Sequence, residues 1–272
     1  MKRILLFSLL AIAAILTSCG RKNAGKTFTV GFDAEFPPYG FKDEKTGDYI
    51  GFDLDLAAEV CKRNGWTLVK KPIDWAAKDT ELNAETIDCI WNGFTRSAER
   101  ENKYTWTEPY VKNQQLVMVR KDGGIKGLAD LKGKKVAAQD GSTGADAIKS
   151  FLELQKKAFP GFDFKELKLV ADYLTDAKLL ESKAVDAIAL DGAIAGKIAE
   201  QGNGAFILLK EPLCDDLYAV GFKLGNTELR DTVQATLKAM VKDGTAAAIV
   251  KRWAIEHKDS DGAKINFILG AE

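Results

Sequence analysis

Two rhythms alternate along the chain. Residues 28–32, 67–71 and 88–91 are short apolar or β-branched runs of strand length. Between the first two, residues 53–64 place Leu54, Ala57, Ala58 and Cys61 on one face of a helix that stops at Asn64-Gly65. A second helix is predicted near 79–84. The scheme then repeats, with strands at 115–120, 134–138, 167–170 and 187–190. Helices are predicted from the Gly141-Ser142-Thr143-Gly144 turn to 154, over 173–182 and over 191–200. One strand at 218–222 precedes closing helices at 227–242 and 245–255, the last with Ile249, Val250 and Trp253 turned to a core. Strands alternating with helices predict an α/β fold. There is no internal repeat with a period of roughly 20–50 residues.

The first residues change the picture. Lys2 and Arg3 precede an apolar run over 4–16, then Thr17-Ser18-Cys19. A basic stretch followed by a greasy one marks a secretion leader. The run is too short to span a bilayer, which takes about 20 residues. Leu16-Thr17-Ser18-Cys19 resembles a bacterial lipobox, which implies a lipoprotein signal peptide over 1–18 and lipidation of Cys19. The alternative is an ordinary cleaved leader with an incidental cysteine. Residues 19–26 have no periodic pattern and read as a tether.

The 39 basic and 39 acidic residues balance, and loss of Lys2 and Arg3 with the leader leaves a net charge of −2. That excludes a basic nucleic-acid-binding surface. A mature chain of about 250 residues suffices for two modest cores. Cys61, Cys89 and Cys214 are odd in number, so they cannot all pair internally. Cys61 and Cys89 read as small buried hydrophobes, with one disulfide as the alternative. The single histidine, His257, reads as a solvated helix-end residue. It excludes a His-rich metal site and any mechanism that needs two imidazoles. No metal site and no cofactor are predicted.

The most specific pattern lies over 88–110. Asp88, Gly93, Thr95, Glu99, Arg100, Pro109 and Tyr110 stand at the spacing of a known fingerprint, with Phe94 in place of its Met and Ala98 in place of its Pro. The run resembles the polar amino-acid binding proteins of ABC importers, the family-3 solute-binding proteins. The resemblance covers the whole mature chain. It implies the two-lobed α/β fold of type II periplasmic binding proteins, with a ligand cleft between lobes joined by two hinge strands. Lobe 1 is expected over 27–110 and 220–272 and lobe 2 over 111–219, with hinge crossovers near 110–114 and 215–219.

An amino acid taken into a closed cleft loses its water, so each of its charges needs a hydrogen-bonded partner. Arg100 can grip a carboxylate with two parallel N–H bonds. Thr95 offers a hydroxyl and an N–H, and Ser142 and Thr143 stand in the Gly-Ser-Thr-Gly turn where a helix start suits an anion. Arg100 paired with Glu99 or Glu101 on a solvated face is the alternative, and such turns usually just begin helices. Asp191 matches the acid that family members turn to the α-amino group; as a plain helix N-cap it would need no ligand. The Gly93 carbonyl is a second acceptor.

For the side chain, Asp33 and Phe36 match the family's distal acid and aromatic cover, and Trp75 its second aromatic wall. Core packing of Trp75 and a turn-forming role for Asp33 are the alternatives. Asn92 and Gln139 complete the ligand-binding set. Lys78 and Glu81 depart from the family, being charged where it is often apolar, and Glu81 either faces the cleft or lies on an exposed helix face.

The expected function is a non-enzymatic, monomeric receptor outside the cytoplasm, lipid-anchored to a bacterial membrane. It would capture a free polar L-amino acid by hinge closure and hand it to an ABC permease and its ATPase. Asp33 and Glu35 near two aromatics favour an arginine- or lysine-like ligand, with glutamine or another polar residue behind. The alternatives are a sensory binding module for a membrane receptor and a secreted dehydratase on the same fold.

Overall fold

A computed structural model describes residues 25–256 and 265–270. The leader, Cys19 and His257 lie outside these described residues.

Strand β1 (Thr27–Phe32) leads into three short strands, β2 (Glu35–Phe36), β3 (Gly40–Lys42) and β4 (Tyr49–Ile50), which form a small sheet of their own. Helix α1 (Phe52–Asn64) and β5 (Thr67–Pro72) follow. A 3-10 turn over Trp75–Ala77 runs into α2 (Lys78–Asn83), then β6 (Cys89–Ile90) and β7 (Tyr104–Trp106). The second sheet begins with β8 (Val111–Arg120), and the chain continues through β9 (Lys135–Gln139), α3 (Thr143–Ala158), β10 (Glu166–Val170) and α4 (Tyr173–Glu181). Next come β11 (Ala187–Asp191), α5 (Gly192–Gln201), β12 (Phe206–Leu208) and β13 (Cys214–Tyr218). The chain returns through β14 (Gly221–Lys223), α6 (Thr227–Lys242) and α7 (Thr245–Glu256), and β15 (Asn266–Phe267) follows.

The first sheet has the order β5-β1-β6-β14-β7, with β1 parallel to both β5 and β6. The second has the order β10-β9-β11-β8-β12, with β9 parallel to β10 and β11 and β8 antiparallel to its neighbours. Each sheet carries helices, as the alternation requires. The central strand β11, Ala-Ile-Ala-Leu-Asp, is buried throughout, the mark of a strand covered on both faces.

Helix ends form where polar residues can satisfy them. Ser142, Asp172 and Asp191 each cap the next helix by accepting a backbone N–H through the side chain. Helix α1 stops at Gly65, whose φ of 67° lets its N–H reach the carbonyls of Cys61 and Lys62. Its buried face differs from the prediction. Leu56 and Val60 are buried with Leu54, Ala57 and Cys61, while Ala58 is exposed. The arc is rotated because α1 packs against α6 and α7 as well as against the sheet. In α7, Ile249 and Trp253 enter the core and Val250 packs at its edge. Cys61, Cys89 and Cys214 are free thiols, the first two buried.

The strand predicted over 218–222 is two strands. Strand β13 ends at Tyr218 in the second sheet and β14 begins at Gly221 in the first, so Ala219 and Val220 carry the chain between them. A continuous apolar run cannot show that its halves pair with different sheets. At the outward passage β8 starts four residues earlier than predicted, because Val111–Gln115 pair antiparallel with Cys214–Tyr218. Strand β15, expected with the first lobe, pairs with β8 at Lys112 and Val111.

Candidate functional site

The parallel strands of both sheets point their C-terminal ends at one cleft, where α/β sheets of this type place ligands. Asp33 follows β1, Trp75 follows β5 and Asn92 follows β6; from the other lobe Gln139 ends β9, Tyr173 follows β10 and Asp191 ends β11. These six line one cavity with Phe36, Gly93, Thr95, Arg100 and Thr143. The cavity is narrow, about 20 Å³, room for about one water molecule. Ten of the eleven residues singled out from sequence are thus neighbours. Ser142 is the exception: it is buried beside them, and its hydroxyl accepts the Ala145 N–H at 3.0 Å to cap α3.

Arg100 is 6% exposed and turned inward. It does not pair with its neighbours in sequence; Glu101 is held by Arg96 at 2.6 and 2.7 Å. Arg100 instead donates to Thr143 Oγ1 at 2.9 Å and to the Gly141 carbonyl at 3.0 Å, both across the cleft. Its guanidinium lies 5.2 Å from the centre of the Phe94 ring. Phe94, a departure from the fingerprint, packs among Trp75, Tyr104 and Trp106 at centroid distances of 5.6, 5.1 and 4.9 Å. The aromatic nest gives the cation a π-face and holds it by packing.

Gly93 sits in the tightest corner. Its φ is +55°, and a Cβ there would lie 2.6 Å from Phe36 Cε1 and 3.2 Å from Tyr218 Cε2. Its N–H donates to the buried Asp53 carboxylate at 2.6 Å, which also accepts from the Tyr110 hydroxyl at 2.8 Å.

Trp75, Asp33 and Asp191 each serve the structure and also line the cavity. Trp75 belongs to the aromatic nest and lines the cavity. Asp33 accepts the Glu35 N–H at 2.9 Å, forming the turn, and reaches over the cleft to Gln139 Nε2 at 2.6 Å. Asn92 fixes the same loop by accepting the Asp33 N–H at 3.1 Å. Asp191 caps α5 through Ala193 N at 2.9 Å while facing the cavity. It also accepts from Gln115 Nε2 at 2.8 Å and from the Tyr218 hydroxyl.

Charge is divided across this space. Burial pushes the Asp33 carboxyl up. Burial, and then the neighbouring Asp216, push Asp191 up to about 7. On the Arg100 side, burial and then Arg100 itself lower the Lys78 ammonium to about 8. Lys78 is 5% exposed, stands 5.3 Å from the Trp75 ring centre and donates to the Gly141 carbonyl at 2.9 Å. Glu81 faces away from the cleft, bonded to Lys71 at 2.7 Å and to the Thr86 hydroxyl.

Sequence reasoning missed Tyr173, Gln115 and Asp216. Tyr173 was readable as the first residue of a helix following a parallel strand, one position after the cap Asp172, which corresponds to Asp191 before α5. Gln115 and Asp216 lie on the two passages between sheets, and only the pairing of β8 with β13 brings them to the cleft.

Residues 28–256 match the profile of the bacterial extracellular solute-binding proteins, family 3. The chain is 27% identical over 260 residues to the arginine-binding extracellular protein ArtP of Bacillus subtilis, covering 93% of this chain and 97% of that one. It is 29% identical over 229 residues to the L-cystine-binding protein TcyJ of Escherichia coli, covering 84% and 82%. An ABC uptake transporter substrate-binding protein of Streptococcus pneumoniae, solved with bound histidine, superposes with a TM-score of 0.76 at 31% identity, covering 84% of this chain and 92% of that one. With two α/β lobes about one cleft and a profile match over most of its length, the chain belongs to the bacterial extracellular solute-binding proteins, family 3.

Proposed function

We propose that the protein is the extracytoplasmic receptor of an amino-acid ABC importer and that its ligand is a basic L-amino acid. The observation that carries this is the facing of Arg100 and Asp191, a cation and an acid from opposite lobes lining one cavity. A zwitterion bridging them is held at both poles. Arg100, Thr95 and Thr143 take the carboxylate; Asp191 and the Gly93 carbonyl take the ammonium. Phe36, Trp75 and Tyr173 wall the aliphatic stem, and Asp33 with Gln139 and Asn92 meets its far end. The acid at that end favours a cationic side chain, and the names of the arginine-binding and histidine-bound relatives support the same class.

The lobes, 27–110 with 220–272 and 111–219, close about crossovers near 110–114 and 215–219. The pairing of Val111–Gln115 with Cys214–Tyr218 supports a double pivot there. A ligand that touches both lobes binds the closed form far better than the open one, which is how it shifts that equilibrium. Lipidation of Cys19 tethers the receptor to the membrane, where a permease and its ATPase receive the closed form.

A thermal-shift screen of the twenty amino acids with ornithine and cystine tests this. A ligand at a thousandfold excess over Kd stabilises by roughly 4 kcal/mol. The expected result is a large shift with L-arginine or L-lysine. No shift with any amino acid would overturn the reading.

A further inference from the structure

Asp191 has a second carboxyl beside it. Asp216, on β13, is half-buried, and its Oδ2 accepts Gln115 Nε2 at 2.7 Å, the nitrogen that also donates to Asp191 Oδ2 at 2.8 Å. One amide nitrogen has two hydrogens, so each carboxyl receives one of them. The two acids therefore lie within about two hydrogen-bond lengths of each other. Asp216 Oδ2 also accepts the Thr95 hydroxyl at 3.0 Å, and its Oδ1 has no partner.

The groups that face this pair are almost all neutral or acidic. From β13 come Cys214, whose thiol burial pushes up to about 11, and the Tyr218 hydroxyl. From β8 come Gln115 and Asn113; from α4 comes Tyr173, which Asp176 and Asp33 also reach; from the loop before β3 comes Tyr39. The three tyrosines stay protonated, since burial holds each hydroxyl well above its ordinary range. The cation that reaches them is Arg100, whose hydrogen bonds go to Thr143, Gly141 and the Thr95 carbonyl and to neither acid. Two carboxylates this close, with no cation bonded to them, do not both ionise readily.

We propose that Asp216 is the second carboxyl of the ammonium site, that it and Asp191 hold one proton between them before ligand binds, and that docking of an α-ammonium on Asp191 expels that proton to solvent. The inference rests on Asp191 receiving the ammonium. The step balances: the ammonium arrives charged, the O–H bond of the pair breaks, and water or buffer takes the proton. The pair titrates as a unit, so the proton belongs to neither acid alone. Binding is then a competition between ammonium and proton. It weakens as pH falls, by about tenfold per pH unit while the pair stays protonated.

Isothermal titration of L-arginine and, separately, L-glutamine at pH 6 in phosphate and in imidazole buffer tests this. The difference in heat between buffers of different ionisation enthalpy counts protons released. The expected count is near one for whichever amino acid binds. Asp216→Asn is expected to bring it near zero and to flatten the affinity profile between pH 5 and 8. Binding by the parent with no proton release overturns the proposal and leaves the amino-acid reading intact. Binding of neither ligand overturns both. Release undiminished in Asp216→Asn overturns the assignment to this pair. Carboxyl-carbon NMR shifts of the unsubstituted protein give the same assignment without a variant. Asp191 and Asp216 should move together on adding ligand at pH 6, and unmoved signals in a protein that binds would sink the idea.

Discussion

Lys78 and Arg100 converge on one oxygen, the Gly141 carbonyl, at 2.9 and 3.0 Å. Both donors lie between strands of the first sheet and the acceptor follows β9 of the second, so under the proposed hinge closure each bond would form as the cleft shuts. Arg100 lines the cavity; Lys78 stands behind Trp75 and lies outside the lining. Lys78 is therefore expected to favour closure whatever the guest. Lys78→Met is expected to weaken every amino-acid ligand alike, by about 1–2 kcal/mol, or roughly five- to thirtyfold. Calorimetry over several ligands checks this, and a change in their ranking would show that Lys78 touches the guest.

Arg100→Ala and Asp191→Ala should each abolish the ligand-induced thermal shift, because each leaves one pole of a desolvated zwitterion without a partner, at a cost of about 2–5 kcal/mol. Arg100→Lys should recover only part of the loss, since an ammonium cannot grip a carboxylate with two parallel bonds. Variants that still respond like the parent would refute this arrangement of the poles.

Asp33 is expected to decide between ligand classes. Its carboxyl spans the cleft to Gln139 Nε2 at 2.6 Å. Asp33→Asn removes the charge and keeps one oxygen, enough for either the Gln139 bond or the Glu35 N–H but not both. Affinity for L-arginine is expected to fall by roughly ten- to a hundredfold, with L-glutamine much less affected. Equal losses for both would mean that Asp33 only shapes its loop.

Stability has its own pH signature, set away from the cleft. Asp176 on α4 is fully buried and neither side-chain oxygen has a partner. Burial, and then Asp172, raise its carboxyl to about 8. The folded state thus holds a proton that the unfolded chain loses near pH 4. The stability this gives is complete below the unfolded value and is lost as pH rises towards 8. Asp176→Asn should leave the melting temperature at pH 4 nearly unchanged and raise it at pH 8. A gain of about 2 kcal/mol there corresponds to roughly 4–8 °C. Differential scanning calorimetry at the two pH values reads this directly, and identical curves for parent and variant at pH 8 would exclude it.

Much of this was legible in the chain. Strands whose partners are near in sequence order, such as β1, β5 and β9, announce themselves by apolar runs, and α1 and α6 by their period and caps. The cleft residues at strand ends were legible because a fixed spacing ties Gly93, Thr95 and Arg100 to the end of β6. Two kinds of information were not. Strands of two or three residues, such as β2, β7 and β15, are too short for a period and exist only through their partners. The environment of Gln115 and Asp216 depends on a pairing register between segments about a hundred residues apart, which nothing local encodes. Ala58 shows the same limit on a helix, where the exposed side is chosen by which elements pack against it.

Strand β8 leaves the first lobe at Val111 and is also the strand against which β11, β12, β13 and β15 all lie. Along it Val117 and Val119 belong to one core and Met118 to the other, while Gln115 holds the two acids. Side chains on a strand alternate sides, so a single residue inserted between Tyr110 and Gln115 would turn the strand over. Valines and methionine would trade layers, and the amide would be carried to the opposite side from the acids it now joins. The length of this one connector is therefore as much part of the recognition chemistry as any side chain in the cavity, and lineages that lengthen or shorten it must rebuild the polar end of the pocket as well.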